Sequence, residues 1–313
     1  MKKILLVLAA ISLSSCASHF KLEGVKTMQE ITYDANPVHK QLLSDGMEVA
    51  YVEVGQGPQT ILFIHGLGSY LPAWKKNYSA LSDAYRCIAI DLPGYGKSSK
   101  GNHEYSMTFY AAVVREFIEA KGLKNVTIAG HSMGGQIAMT TALQYPQVVD
   151  KLILSAPAGF ETFNKGQRQW FKDVMTVDAV RLTTPEQIRT NLAYNFYNLP
   201  ADAQFMIDDR IAMRTADDFN AYCYAITKGV EGMVSQPVYD FLPQIKHPVL
   251  VVYGENDNLI PNRFLNAGFT RKVAEDGASR LPNARLELLD KAGHFVQYER
   301  AEEVNALIRD FLK

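Results

Sequence analysis

Five short runs in this chain consist almost wholly of apolar, largely β-branched residues: 60–64, 87–90, 126–129, 152–154 and 249–253. A strand with one wet face alternates apolar and polar residues, whereas a run without alternation needs cover on both faces. Such runs read as central strands of a parallel sheet sandwiched between helices. Two further runs do alternate. Residues 47–54 read as an antiparallel edge strand and 285–289 as a later edge strand. Helical spacing fills the intervals. Residues 108–120 set Ala112, Val113, Phe117 and Ala120 on one face. Residues 133–145 open directly after a strand run and stop before Pro146, and 301–311 close the chain as an amphipathic helix. Strands alternating with helices predict an α/β fold with a mostly parallel, twisted sheet flanked by helices.

One segment breaks the alternation. Residues 158–241 are rich in aromatics and methionine, among them Phe160, Phe163, Trp170, Phe171, Met175, Phe196, Met206, Phe219 and Tyr222, with helical spacing and no clear parallel strand. They read as a helical cap inserted over the C-terminal edge of the sheet. The core is then formed by 41–157 and 242–313, and a chain of 313 residues suits one large α/β domain carrying such an insertion. The cap aromatics either line an apolar pocket or form the cap's own core. A formal net charge of −1 with no basic block gives no field that points to nucleic acid.

The N-terminus carries a different signal. Lys2 and Lys3 precede an apolar run over 4–13, too short for a membrane-spanning helix but suited to the apolar core of a secretory signal. Leu13-Ser14-Ser15-Cys16 follows and resembles a bacterial lipobox. The resemblance implies a signal peptide over 1–15 and a lipidated Cys16 as the first mature residue. It also implies a tether or N-terminal arm over 16–40, and an exported protein held on a membrane, periplasm-facing or at the outer membrane. The alternative is a plain signal peptide with an incidental cysteine. Loss of Lys2 and Lys3 takes the formal charge from −1 to about −3, which changes no inference about partners. Cys87 opens a strand run and reads as a small buried hydrophobe, and no disulfide framework or metal cluster is read.

The chemistry concentrates in Gly130-His131-Ser132-Met133-Gly134-Gly135, between a strand run and a helix. A sharp turn there strains Ser132 and exposes its hydroxyl, while Gly130 and Gly134 let strand and helix approach closely. The helix N-terminus adds partial positive charge. A serine hydroxyl needs a base to become a nucleophile. Of seven histidines, His294 in Lys291-Ala292-Gly293-His294-Phe295 lies just after the last strand run, at the sheet edge where ligands bind in open α/β folds. His65 and His131 read as structural, His19 belongs to the tether, and His39, His103 and His247 read as surface or loop residues. Asp257 in Gly254-Glu255-Asn256-Asp257 can accept the imidazole Nδ1–H, with Glu255 as the fallback acid. His65-Gly66-Leu67-Gly68 follows the 60–64 run, so the N–H groups of Leu67 and Met133 are the candidate oxyanion donors.

These pieces, together with Asp91-Leu92-Pro93-Gly94-Tyr95-Gly96-Lys97-Ser98, resemble the motifs of the capped α/β-hydrolase superfamily, in the order Ser, acid, His. The likeness runs from about Gly46 to the C-terminus. It implies the α/β-hydrolase fold, with Ser132 as nucleophile, His294 as base, Asp257 as its orienting partner, and no cofactor or metal. Three decoys fail. A phosphate loop would need Gly where Asp91 stands, His103-Glu104 has no second His four residues on, and no G-x-G-x-x-G follows the first strands. The resemblance leads to a serine hydrolase, foremost a carboxylic-ester hydrolase acting on an apolar or aromatic small molecule through an acyl-enzyme. Serine at the nucleophile position argues against the related epoxide hydrolases and haloalkane dehalogenases, which carry Asp there. The alternatives are a carbon–carbon bond hydrolase of ring-cleavage products and an aminopeptidase-like enzyme holding an amine on cap carboxylates such as Asp202, Asp208, Asp209, Asp217 or Asp218. A binding lipoprotein with little turnover is the alternative outside enzymes.

Overall fold

A computed structural model describes residues 24–33 and 36–313, so Cys16 and His19 lie outside the described residues. Eight strands form one sheet: β1 His39–Leu42, β2 Glu48–Val54, β3 Thr60–Ile64, β4 Arg86–Ile90, β5 Val126–His131, β6 Lys151–Ser155, β7 Val249–Gly254 and β8 Ala284–Leu289. Their order is β1-β2-β4-β3-β5-β6-β7-β8. From β4 to β8 all pairings are parallel, whereas β2 runs antiparallel to both β1 and β4. Every residue of β3, β5 and β7 is buried, as unbroken apolar runs require.

The helices are α1 Lys75–Leu81, α2 Met107–Ala120, α3 Met133–Gln144, α4 Lys165–Val174, α5 Val177–Arg181, α6 Pro185–Ala193, α7 Gln204–Ala212, α8 Phe219–Ser235, α9 Thr270–Ser279, α10 Val296–Glu299 and α11 Ala301–Leu312. Around the sheet, α2 packs on α3 and α1 on α11. Helices α4 to α8 all fall between β6 and β7, with α4 and α5 against α8 and α6 against α7. Two of them start at capping boxes, Asn164 with Gln167 and Thr184 with Gln187, which satisfy the free N–H groups of each first turn. Among the described residues no helix is long and apolar enough to cross a membrane.

Two details differ from the sequence expectation, and a third falls within it. The 47–54 strand is not at the edge, because β1 pairs outside it from His39↔Tyr51 to Leu42↔Glu48. The polar sequence His-Lys-Gln-Leu and its mostly exposed side chains give β1 no hydrophobic signal. Residues 24–33, within the expected tether or N-terminal arm, pack on the body. Met28, Ile31 and Tyr33 are buried, so the apolar side chains of this segment have a seat on the body. On α2 the buried face is centred on Tyr110, Val114 and Phe117, and Ala120 is exposed.

Asp91, at the end of β4, ties several of these pieces together. Its fully buried carboxyl accepts Tyr33 Oη–H at 2.6 Å, Leu71 N–H at 2.7 Å and Lys97 N–H at 2.8 Å. The bonds join the N-terminal arm, the segment after β3 and the 91–98 loop. Replacing Asp91 by Ala strands two buried donors, on Tyr33 and Leu71, which lose their acceptor without regaining water, and removes the acceptor of the part-buried Lys97 N–H. Asp91→Ala should lower unfolding free energy by about 3–5 kcal/mol. The check is the urea midpoint at unchanged m-value; a shift worth under about 1 kcal/mol would show that the loop does not depend on this carboxyl.

Candidate active site

Parallel strands end at one edge of a sheet, and every candidate residue lies on a loop leaving that edge. His65-Gly66-Leu67 follows β3, Ser132 follows β5, Asp257 comes three residues after β7 and His294 five residues after β8. The turn from β5 into α3 is very tight. A Cβ on Gly130 would lie 2.2 Å from the Gly134 carbonyl oxygen, and one on Gly134 would lie 2.4 Å from the Ile64 carbonyl oxygen. Between these two glycines the chain has one way through, and Ser132 takes φ 52° and ψ −118°. That left-handed φ is strained for a residue with a Cβ. The turn is fixed on both sides, as Ser132 N–H donates to the Ser155 carbonyl at 3.0 Å and Ala158 N–H to the Ser132 carbonyl at 3.0 Å.

His294 and Asp257 meet. His294 Nδ1 lies 2.7 Å from Asp257 Oδ2, and both side chains are buried. Asp257 Oδ1 accepts the N–H groups of Leu259 at 2.7 Å and Ile260 at 3.1 Å, so the carboxyl is held from both ends. Glu255, the fallback acid, pairs instead with Arg271 on α9. Leu67 and Ser132 line a common cavity, while Met133 is buried at the first position of α3. The first N–H groups of a helix have no acceptor within it, so Met133 N–H is free to serve as a donor.

The other motif histidines hold backbone. His65 Nε2 accepts Leu92 N–H at 3.0 Å and His65 Nδ1–H donates to the Gly66 carbonyl at 2.8 Å, tying the loops after β3 and β4. Burial lowers its pKa, which suits this neutral form. His131 Nε2 lies 3.0 Å from the His294 carbonyl oxygen, so it is the donor there. Burial, and then the neighbouring His294, push the His131 imidazole well below its usual range.

Contacts that the sequence did not reveal come from the cap. The backbone carbonyl of Asn195, just after α6, accepts His294 N–H at 2.7 Å. Glu299 accepts Gly293 N–H at 2.8 Å and the N–H groups of Tyr197 and Asn198. The loop bearing His294 is thus built against the cap. No residue-type pattern signals a bond made by a backbone carbonyl.

A cavity of about 310 Å³ opens over Ser132 and His294. Its apolar wall includes Phe163, Phe171, Met175, Val230, Met233 and Val234. The remaining cap aromatics divide between core and surface: Phe196, Phe219 and Tyr222 are buried, while Trp170, Tyr194 and Tyr197 are largely exposed. Of the five cap aspartates considered from sequence, none lines this cavity. Asp202 pairs with Lys76, Asp209 accepts Tyr70 Oη–H, and Asp218 pairs with Lys100. The carboxylate that does line it is Glu161, which the sequence reading did not single out. Burial raises its pKa. A second cavity of about 310 Å³ shares Leu67, Met175, Asn195 and Phe295 with the first and has Arg210 in its wall.

Comparison with known proteins agrees with this architecture. A component of the acetoin cleaving system of Cupriavidus necator, named dihydrolipoyllysine-residue acetyltransferase, is 30% identical over 271 residues, 86% of this chain and 67% of that protein. The 2-hydroxy-6-oxononadienedioate/2-hydroxy-6-oxononatrienedioate hydrolase of Paraburkholderia phymatum is 29% identical over 90% of this chain and 97% of its own length. The crystal structure of a "probable hydrolytic enzyme" from Pseudomonas aeruginosa superimposes with a TM-score of 0.81 at 27% identity, covering 93% of this chain and 99% of that one. Residues 59–301 match the family described as alpha/beta hydrolase fold, and this chain belongs to it.

Proposed function

We propose that this protein is a serine hydrolase that cleaves carboxylic esters through an acyl-enzyme on Ser132. The observation that carries the reading is the 2.7 Å contact of His294 Nδ1 with Asp257 Oδ2, behind a cavity that His294 and the strained Ser132 line together. In this mechanism Ser132 Oγ attacks the ester carbonyl and its proton passes to His294 Nε2. Asp257, accepting from Nδ1, fixes the ring and stabilises the imidazolium. The N–H groups of Leu67 and Met133 hold the oxyanion. Collapse breaks the bond to the alcohol oxygen, which takes the proton from His294. Water then attacks the acyl carbonyl with His294 again as base, releasing the acid and restoring Ser132. The apolar wall of the cavity suits an apolar or aromatic acyl or alcohol group.

A second reading, carbon–carbon bond hydrolysis, is favoured by one feature. Arg210 lines the adjoining cavity, its guanidinium over the Tyr222 ring at 4.5 Å, and a cation there suits a substrate carboxylate such as the name of the Paraburkholderia relative describes for that enzyme. Lipid anchoring through Cys16 is also part of the proposal and rests on the sequence 13–16.

Four measurements test the ester-hydrolase and lipid-anchor readings. A fluorophosphonate should label Ser132 in the folded protein, and Ser132→Ala should cut turnover of p-nitrophenyl butyrate by at least about 10⁴-fold with an unchanged melting curve. Retained turnover would remove Ser132 from the mechanism. Asp257→Asn should cost about 10³–10⁴-fold in kcat, whereas Glu255→Gln should cost little; the reverse pattern would exchange their roles. Cells fed an alkyne fatty acid should label the wild-type chain and not Cys16→Ser. Equal labelling of both would place the lipid elsewhere, and absence of label from both would discard the anchor.

A further inference from the structure

The cavity over Ser132 is apolar except for a few groups, and among the described residues its one lining side chain of the Asp, Glu, Lys and Arg types is Glu161. Two N–H donors reach this carboxylate, Asn262 backbone N–H at 2.8 Å and Asn266 Nδ2–H at 2.7 Å. Both land on Oε1. Among the described residues Oε2 accepts no hydrogen bond. One oxygen therefore clamps the beginning of the cap to the 262–266 loop, and Glu161 stands in the cavity wall with its second oxygen outside that clamp.

The clamp does not need a charge. A glutamine would accept the same two bonds through its amide oxygen, and a carboxylate in an apolar wall carries a desolvation cost that a neutral amide avoids. An acid at this place is stabilised when its second oxygen meets a cation or a strong donor. The neighbouring wall fits the same partner. Phe163 and Phe171 stand edge to face with ring centroids 5.0 Å apart, and both line the cavity. Aromatic faces beside a carboxylate form the surroundings in which a substituted ammonium is held while its carbon groups lose water. An anionic group in the same space would face Glu161, and among the described residues no Lys or Arg lines this cavity, Arg210 belonging to the adjoining one.

We propose that Glu161 is a specificity-determining residue that admits substrates bearing a cationic, nitrogen-centred group and turns away anionic ones, with Oε2 as the direct contact and Phe163 and Phe171 as the aromatic flank. The proposal rests on the serine-hydrolase reading for its chemistry, and adds the substrate class. It assigns the cap a charge preference that the five aspartates do not supply.

The test is a charge series of nearly constant length in the full chain. On the acyl side the p-nitrophenyl esters of 6-aminohexanoic, heptanoic and adipic acid place a cation, a methyl group or an anion at the far end. On the alcohol side butyrylthiocholine is compared with the butyryl thioester of its neutral 3,3-dimethylbutyl isostere. In at least one series kcat/KM should favour the cation over the neutral ester by about tenfold or more, and the anion should be the slowest of the acyl series. In Glu161→Gln the cation-to-neutral ratio should fall to near one, whatever happens to the absolute rates. Equal rates for cation and neutral ester in both series of the wild type would overturn the proposal while leaving the ester-hydrolase reading intact. A preserved cation preference in Glu161→Gln would also overturn it. Absence of Ser132-dependent turnover of every ester would reject the ester-hydrolase reading itself; the proposal is then decided by competition of 6-aminohexanoate methyl ester and methyl heptanoate for fluorophosphonate labelling of Ser132, with equal protection by the two overturning it.

Discussion

The site depends on a close approach of backbone to backbone, where α3 leaves β5 and presses on the end of β3. A Cβ on Gly134 would sit 2.4 Å from the Ile64 carbonyl oxygen and 2.6 Å from that of His65. No side chain fits, so helix and strand stand at a separation that only glycine allows. Two consequences follow from this one contact. Ser132 takes a positive φ and lines the cavity, and Gly134, two residues on, lies against the carbonyls of Ile64 and His65 where the His65-Gly66-Leu67 turn begins. Backbone strain of this kind is tolerated where the surroundings over-determine it. Here the surroundings are the fully buried strands β3 and β5, paired in register from Thr60↔Val126 to Ile64↔Gly130.

That sheet was legible in the sequence because its central strands are buried on both faces, which leaves little room for polar residues. The runs 60–64 and 126–129 are found within one or two residues of β3 and β5. Legibility fails where burial is partial. β1 is polar and exposed, and its pairing outside β2 is a matter of backbone hydrogen bonds that composition does not report. The same division holds at the site. Residues whose chemistry requires a particular side chain, such as Ser132, Asp257 and His294, could be picked by type and order. Asn195 acts through its carbonyl, and Glu161 became visible only when the fold brought the cap's beginning beside the cavity.

The cap is more than a cover. Its Asn195 carbonyl and its Tyr197 and Asn198 N–H groups share the loop of His294 with Glu299, so the position of the imidazole is set from two sides. Asp257 fixes the ring through Nδ1, while the cap and His131 fix the backbone that carries it. A displacement of the segment after α6 would reach His294 through a 2.7 Å hydrogen bond without passing through the substrate. The geometry of the imidazole and the shape of the cavity are therefore not independent variables, and substitutions around Asn195 would move both.

Charge separates what the sheet shares from what the cap contributes. The groups at the sheet edge are neutral or paired: His65 and His131 are buried and hydrogen-bonded to backbone, and Asp257 is matched to His294. Two charges face the cavities from elsewhere, Glu161 at the cap's beginning and Arg210 on α7. They have opposite sign and belong to compartments that share Leu67, the residue whose N–H is the proposed oxyanion donor. A bond cleaved beside Leu67 has one compartment in front of the acid and the other in front of the arginine. The sheet edge is built from buried strands and glycine contacts that tolerate little change. A charge preference in the cap rests on single side chains, and Glu161 combines that place with a clamp on Asn262 and Asn266.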